Sequence, residues 1–394
     1  MSYETFQSHN AVPPIDKQLP PPRLINTQSG LLEIKPLLES THRLAIDTES
    51  NSLYAYYERI CLIQISTDQA DFLIDPLALP GEDIQACLSD IFSNPDIEKV
   101  FHAAEYDIMG LRRDFDFEFA NVFDTMLATR NLGWKELGLA ALLKEYFGVQ
   151  VRKRHQKDNW GRRPLTPDLM DYAQMDTHYL LALRDHLFEA LQRAELLDEA
   201  IEVFHEITQA RWNGGKFDPE GFWQINGARA LSSQKQAVLQ YLYLCRDGLA
   251  RRANVPVFKI MSDQTLVSLA KFEPLTLTAL GRVAGIGENT IRRHGRDILK
   301  AIEQGLESPA PKIPARRQPP DEQILRRFDA LHHWRKEAAA QRGVSSEVIL
   351  SKDALWALAS EAPQTWQGLQ SIDHIGDWRL QKYGEQILNI LNNL

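Results

Sequence analysis

Short apolar runs open the front of this chain, at Arg43 to Asp47, Ile60 to Ser66 and Asp71 to Ile74, and each predicts a strand. The brief turn segments between them suit antiparallel pairing. The period then changes. Lys99 to Phe101 reads as a strand, Ala104 to Arg113 as a helix, Asn121 to Phe123 as a strand, and Thr125 to Asn131 as a helix. Helical spacing dominates from Leu137 to Phe147 and again from Pro167 to about Trp212. Meander strands followed by βα units predict a mixed sheet with helices on its faces, and such sheets gather ligands at strand ends. Ahead of this, residues 1–22 hold five prolines and few apolar residues, the pattern of an irregular extension.

The last part of the chain is duplicated. Shifting the sequence by 89 positions (376 − 287) sets Leu242, Arg246, Ala250, Ile260, Ser262 and Leu266 on Leu331, Arg335, Ala339, Ile349, Ser351 and Leu355. Pro274, Thr276, Ile286, Gly287, Gly295 and Ile298 likewise meet Pro363, Thr365, Ile375, Gly376, Gly384 and Ile387. Most shared positions are apolar at helical spacing, so each copy predicts a small all-α domain. Five prolines between Glu307 and Pro320 mark a semi-rigid spacer. The expected division is an extension at 1–22, an α/β domain at 23–209, helical domains at 210–306 and 321–394, and a linker at 307–320.

The chain has 394 residues, enough for two or three domains, and its 44% hydrophobic content supports packed cores. A formal charge of −9 argues against a uniformly basic coat, leaving nucleic-acid binding to local patches. The copies differ here, since 210–308 carries +5 (14 cations, 9 anions) and 321–394 carries −2 (8 cations, 10 anions). Cys61, Cys87 and Cys245 are odd in number and lack ligand spacing, which fits buried thiols in a reducing compartment. No apolar run approaches 18 residues and the start is polar, so the expectation is a cytoplasmic protein without membrane contact.

Four carboxylates and a tyrosine fall in order on these elements. Asp47 and Glu49, two apart at a strand end, can face one side of the sheet. Asp107 sits near the start of the following helix. Tyr172 and Asp176, four apart, share a helix face. Singly, each has a bland explanation: a solvated turn, a dipole-stabilised carboxylate, a surface pair. Asp124 reads as the N-cap of the Thr125 helix, and His102 as a hydrogen-bonded structural histidine. Together the acids could meet in one cleft, where hard oxygen ligands suit Mg²⁺ or Mn²⁺.

The ordered set Asp47, Glu49, Asp107, Tyr172, Asp176 resembles the tyrosine-bearing subgroup of the DEDD exonuclease superfamily over residues 24–205. Lys153-x-x-Gln156, Trp160 and Arg163-Pro164-Leu165 resemble that family's lysine-glutamine-tryptophan-RPL run. Both helical copies resemble the helicase-and-RNase-D C-terminal (HRDC) domain, and the whole order resembles the ribonuclease D family. One departure is Ser50, where such sequences often carry an aromatic.

The resemblance implies an α/β ribonuclease H-like exonuclease domain with two all-α domains behind it, removing 5′-mononucleotides from the 3′ ends of structured RNAs such as transfer-RNA precursors. It implies two divalent ions, with Asp47 bridging both, Glu49 and Asp176 completing one site and Asp107 serving the other. Tyr172, whose free pKa is near 10, would orient the attacking water. No obligatory protein partner is expected.

Six cations cluster between Arg152 and Arg163 around Trp160, a pattern suited to phosphate contact and base stacking on a single-stranded 3′ end, or else a solvated charged face. Lys153, Arg154, Gln156, Trp160 and Arg163 are the candidates there. In the first helical copy, Gly285-Ile286-Gly287 leads to Arg292, Arg293 and Arg296, which could meet phosphate, so this copy is expected to carry most RNA contact. Two rivals remain: a 3′–5′ exonuclease acting on DNA, and a catalytically idle nucleic-acid-binding protein.

Overall fold

The computed structural model describes residues 19–151, 153–212, 214, 217–314 and 320–394, with the Lys153 side chain excepted. Most of the expected extension at 1–22 and part of the linker at 307–320 lie outside the described residues, as does Arg152. Two compact units divide the chain. One comprises residues 1–49, 60–212 and 318–394, and the other residues 50–59 and 213–317.

In the first unit six strands form one sheet: β1 (Arg23–Ile25), β2 (Arg43–Ser50), β3 (Ile60–Ser66), β4 (Asp71–Ile74), β5 (Glu98–Phe101) and β6 (Val122–Asp124). Their order is β1-β4-β3-β2-β5-β6, so the longest strand lies inside the sheet. β3 and β4 pair antiparallel, as the meander pattern predicts, with Ile63 opposite Ile74. β2 runs parallel to β5, and β5 parallel to β6. Their C-terminal ends therefore open on one edge of the sheet. Short connections after these strands must deliver their polar residues to that edge.

Helices α1 (Gln28–Glu39), α2 (Gly81–Ser93), α3 (Glu105–Phe115), α4 (Thr125–Asn131), α5 (Leu139–Phe147), α6 (Pro167–His178), α7 (Leu180–Arg193) and α8 (Leu197–Ile207) flank the sheet. α1, α2 and β1 go beyond the predicted elements. α1 buries Leu31, Ile34 and Leu38 at helical spacing, and Thr27 caps it by accepting from the Gly30 amide. α3, α4, α5 and α6 fall where the helical period places them, within one or two residues.

The duplication recurs in the backbone. The second unit holds α9 (Ser233–Ala253), α10 (Val257–Ile260), α11 (Asp263–Phe272), α12 (Leu277–Leu280) and α13 (Glu288–Glu307). The later copy holds α14 (Glu322–Arg342), α15 (Ser346–Ile349), α16 (Lys352–Glu361), α17 (Trp366–Gln370) and α18 (Asp377–Asn392). Matched contacts carry the shared fold. Arg246 donates to the Met261 carbonyl at 3.1 Å and Arg335 to the Leu350 carbonyl at 2.9 Å. Ser262 and Ser351 each cap the third helix of their copy.

The loop 50–59, which leaves β2 directly after Glu49, belongs to the second unit. The Tyr56 and Tyr57 amides donate to Asn254 Oδ1 at 3.1 and 3.3 Å, and the Tyr56 hydroxyl donates to Asp247 Oδ1 at 2.5 Å. Lys259 Nζ lies 4.0 Å from the Tyr54 ring centre. Among the described residues no helix is long and apolar enough to cross a membrane.

Candidate active site

β2 buries Leu44, Ala45 and Ile46 completely, then opens at Asp47, where the strand reaches the sheet edge. A buried apolar strand is a rigid arm for the acids at its end. Across the parallel pair, β5 ends at Phe101 and the chain turns through Ala103, at φ 66°, into α3. Asp124 holds that turn. Wholly buried, its carboxylate accepts from the Ala103 and Ala104 amides at 3.2 and 2.7 Å and caps α4 through the Met126 and Leu127 amides at 2.8 and 3.0 Å. The cap role follows from sequence. The reach to the α3 turn does not, because it depends on β5 and β6 lying side by side.

α6 brings the remaining pair. Thr166 caps it, Pro167 opens it, and Tyr172 and Asp176 sit one turn apart. Its opposite side is pinned to the sheet, with Thr177 Oγ1 2.7 Å from Ser66 Oγ. Gln174 and His178 reach Asp71 Oδ2 at 2.6 and 2.9 Å. Burial alone would raise the Asp71 pKa, but bonds from His178, Gln174 and Ser66 prevail and lower it.

The four acids feel one another strongly. Desolvation, then the charges of Asp107, Asp176 and Glu49, push Asp47 well above the carboxylate range. Glu49 is pushed up to about 9 by burial and by Asp176 and Asp107. Asp107 and Asp176 are each raised to about 7, chiefly by burial, although hydrogen bonds from Thr48 and Tyr172 respectively pull them back. Thr48 Oγ1 donates to Asp107 Oδ1 at 2.5 Å. Thr48 was not among the residues singled out from sequence, where it reads only as a spacer between two acids.

Such a cluster is unfavourable unless a cation neutralises it. Among the described residues no three acidic, imidazole or thiol groups are closed into a ready coordination shell. The donor set nonetheless fits a hard divalent ion: all-oxygen, anionic and desolvated. Asp47, Glu49, Asp107 and Asp176 are the residues that would hold it.

Tyr172 is 9% exposed and its pKa is raised by burial, then by Asp176, Glu49 and Asp47. Its hydroxyl therefore stays protonated at neutral pH and acts as a donor. His102 is lowered by burial and hydrogen-bonds Thr125 Oγ1 at 2.9 Å, the structural role its position suggests.

The basic run divides once folded. Trp160 is 1% exposed, packed with its ring centre 6.1 Å from that of Tyr172, so the stacking role expected of it is corrected: it supports the tyrosine from beneath. Arg163 is corrected likewise. Its guanidinium donates to Asp75 Oδ2 and Oδ1 at 2.6 Å each and to the Cys61 and Trp160 carbonyls at 2.7 Å, leaving a fork already engaged by protein. Arg154 is exposed and pairs with exposed Asp168 at 2.7 Å, and Gln156 is exposed. The Lys153 side chain lies outside the described residues. In the second unit Arg292, Arg293 and Arg296 are exposed along α13.

A family model described as 3′-5′ exonuclease matches residues 22–192, and an HRDC domain model matches residues 235–302 and 324–391. The chain therefore carries a 3′-5′ exonuclease domain followed by two HRDC domains. It is 30% identical over 297 residues to the exosome complex component 10 homolog of Caenorhabditis elegans, spanning 74% of this chain and 34% of that protein. It is 28% identical over 375 residues to a Ribonuclease D of Gluconacetobacter diazotrophicus, spanning 94% and 92%. The solved structure of Escherichia coli RNase D shares the fold at a TM-score of 0.66 and 24% identity, across 94% of this chain and 99% of that one. The chain spans only about a third of the length of the first curated relatives. DEDD exonucleases are divalent-metal dependent, in keeping with the acid cluster.

Proposed function

We propose that this protein is a metal-dependent 3′–5′ exoribonuclease that releases 5′-mononucleotides from the single-stranded 3′ ends of structured RNAs, transfer-RNA precursors being the substrate class. The observation that carries this reading is the set of four mutually repelling, desolvated carboxylates beside a protonated tyrosine. Relatives named as a Ribonuclease D and as an exosome component support the choice of RNA. Cys61, Cys87 and Cys245 are not joined by disulfides, which fits a reducing compartment such as the cytoplasm. The working division is an exonuclease domain at 23–209 and HRDC domains at 210–306 and 321–394, acting without an obligatory protein partner.

Asp47 would serve two divalent ions, Mg²⁺ or Mn²⁺, with Glu49 and Asp176 on one and Asp107 on the other. When bound, such ions offset the phosphodiester charge, lower the pKa of water and stabilise the leaving oxygen. Tyr172, whose hydroxyl donates its proton to Asp176, would orient the attacking water through its oxygen. Hydrolysis adds this water's oxygen to phosphorus, breaks the bond to the preceding 3′ oxygen, and returns a proton to that oxygen. Asp124 and Thr48 keep Asp107 in place. Exposed Arg292, Arg293 and Arg296 offer phosphate contacts from the first HRDC domain.

The test is release of 5′-mononucleotides from a 3′-tailed RNA hairpin and its DNA counterpart, with Mg²⁺, Mn²⁺ or chelator, for the wild type and Asp47→Ala. RNA-selective, metal-dependent release lost in Asp47→Ala is expected. Equal cleavage of DNA would replace the ribonuclease reading with a general exonuclease, and no release from either strand would overturn the enzyme reading.

A further inference from the structure

Asp168, Tyr172 and Asp176 follow one another at four-residue intervals on α6, so they share one side of that helix. A single 3₁₀ turn, Lys153–His155, supplies partners to the first two. Arg154 pairs with Asp168 at 2.7 Å, and the His155 ring meets the Tyr172 ring nearly at right angles, with centres 5.7 Å apart and 66° between planes. Three residues further on, the charge of Asp158 adds to the burial and to the charges of Asp176 and Asp107 that raise Glu49. The segment therefore touches α6 at the tyrosine and is felt at the acid of β2.

The His155 imidazole is held through both nitrogens. Nδ1 lies 2.6 Å from Asp158 Oδ2, and Nε2 accepts from Arg154 Nε at 3.1 Å. An arginine nitrogen can only donate, so Nε2 carries no proton and the ring donates from Nδ1 to the carboxylate. With both nitrogens engaged and its side chain 14% exposed, His155 has no atom left to bind a metal ion or a phosphate. What it presents to the site is its ring, against Tyr172.

Trp160 also meets Tyr172, at 6.1 Å and a tilt of 37°. One ring contact leaves a tyrosine room to swing about its side-chain bonds, and a second at a different angle restricts that motion. A hydroxyl that orients a water needs this support, because a small displacement of such a group is costly in rate.

We propose that His155 is a positioning residue for the hydrolysis: clamped between Asp158 and Arg154, its ring fixes the Tyr172 ring so that the hydroxyl stays on Asp176 and its oxygen faces the attacking water. This rests on the exonuclease reading above, and one arm of the test is independent of it.

Single-turnover release from a 3′-tailed RNA hairpin is measured at saturating enzyme, with RNA affinity from fluorescence anisotropy in Ca²⁺. His155→Ala is expected to slow release by roughly 10- to 100-fold at unchanged affinity. His155→Phe keeps a ring and should recover most of the rate. His155→Asn keeps a donor in the place of Nδ1 but no ring, should not recover it, and replaces His155→Ala if that variant fails to fold. In a Tyr172→Phe background His155→Ala should slow release no further, since the residue acts through the hydroxyl. An unchanged rate in His155→Ala, a loss of RNA affinity in place of rate, recovery by His155→Asn, or a full further loss in the Tyr172→Phe background would overturn the proposal. The independent arm is ¹⁹F NMR of protein labelled with 3-fluorotyrosine, the Tyr172 signal being the one missing from Tyr172→Phe. That signal should shift or broaden in His155→Ala, and an unmoved signal would also overturn the proposal. A moved signal with no nucleotide release by the wild type would uphold the positioning and sink the exonuclease reading.

Discussion

Thr48 and Asp107, 59 positions apart in sequence, are joined by a 2.5 Å hydrogen bond from the threonine hydroxyl to the carboxylate. The threonine lies between two acids of β2 and reaches the acid of α3, so one contact couples the two elements. It also favours the charged form of Asp107, which burial opposes. Thr48→Val keeps the shape and removes the donor. Metal affinity should fall by roughly 10- to 100-fold, the usual consequence of losing a group that orients a ligand. Titration calorimetry with Mn²⁺ checks this, and an unchanged affinity would remove Thr48 from the site.

The acid cluster sets the direction of pH dependence. Asp107 and Asp176 are raised to about 7 and Glu49 to about 9, above the ordinary 3.8 and 4.5. The metal-free native protein then holds more protons than the unfolded chain, and stability falls as pH rises through that window. Melting in chelator should drop from about pH 5 to about pH 9. Divalent metal competes with those protons, so its affinity should rise over the same window with proton release. Asp47→Asn removes one repelling charge, and its melting temperature in chelator at pH 8 should exceed that of the wild type while nucleotide release is lost. A flat melting profile would contradict the electrostatic account.

Tyr172→Phe tests the donor role. Phenylalanine keeps the packing against Trp160 and against the His155 ring, 5.7 Å away, and loses only the hydroxyl. Turnover should fall far more than RNA affinity. Single-turnover rates at saturating enzyme measure this, and an unaltered rate would end the assignment.

Arg163 gives a contrast between support and binding. Asp75 is nearly inaccessible, so Arg163→Gln leaves a buried carboxylate unpaired, at a cost of about 3 kcal/mol or more. Denaturant unfolding should show that loss. The salt slope of RNA binding should stay unchanged in Arg163→Gln, whereas Arg293→Gln should reduce it by about 0.7. A reduced slope for Arg163→Gln would restore it as a phosphate contact.

By itself the sequence determined the alternation of strands and helices, the order of the five site residues and the register of the duplication. These are local periods and fixed offsets, and side-chain direction follows from them directly: alternate residues share a sheet face, and residues four apart share a helix face. The capping role of Asp124 was legible for the same reason.

Contacts between distant segments were decided only by the tertiary structure. A tryptophan among six cations reads as an exposed stacking platform, yet Trp160 packs beneath Tyr172, because burying a large ring outweighs the polarity of its neighbours. Arg163 finds Asp75, 88 residues away, through the fold. Glutamates on α8 look like a solvated helix face until the second HRDC domain supplies Arg342 and Arg379. Charge and composition report what a side chain can do, and only the folded chain fixes which partner it meets first.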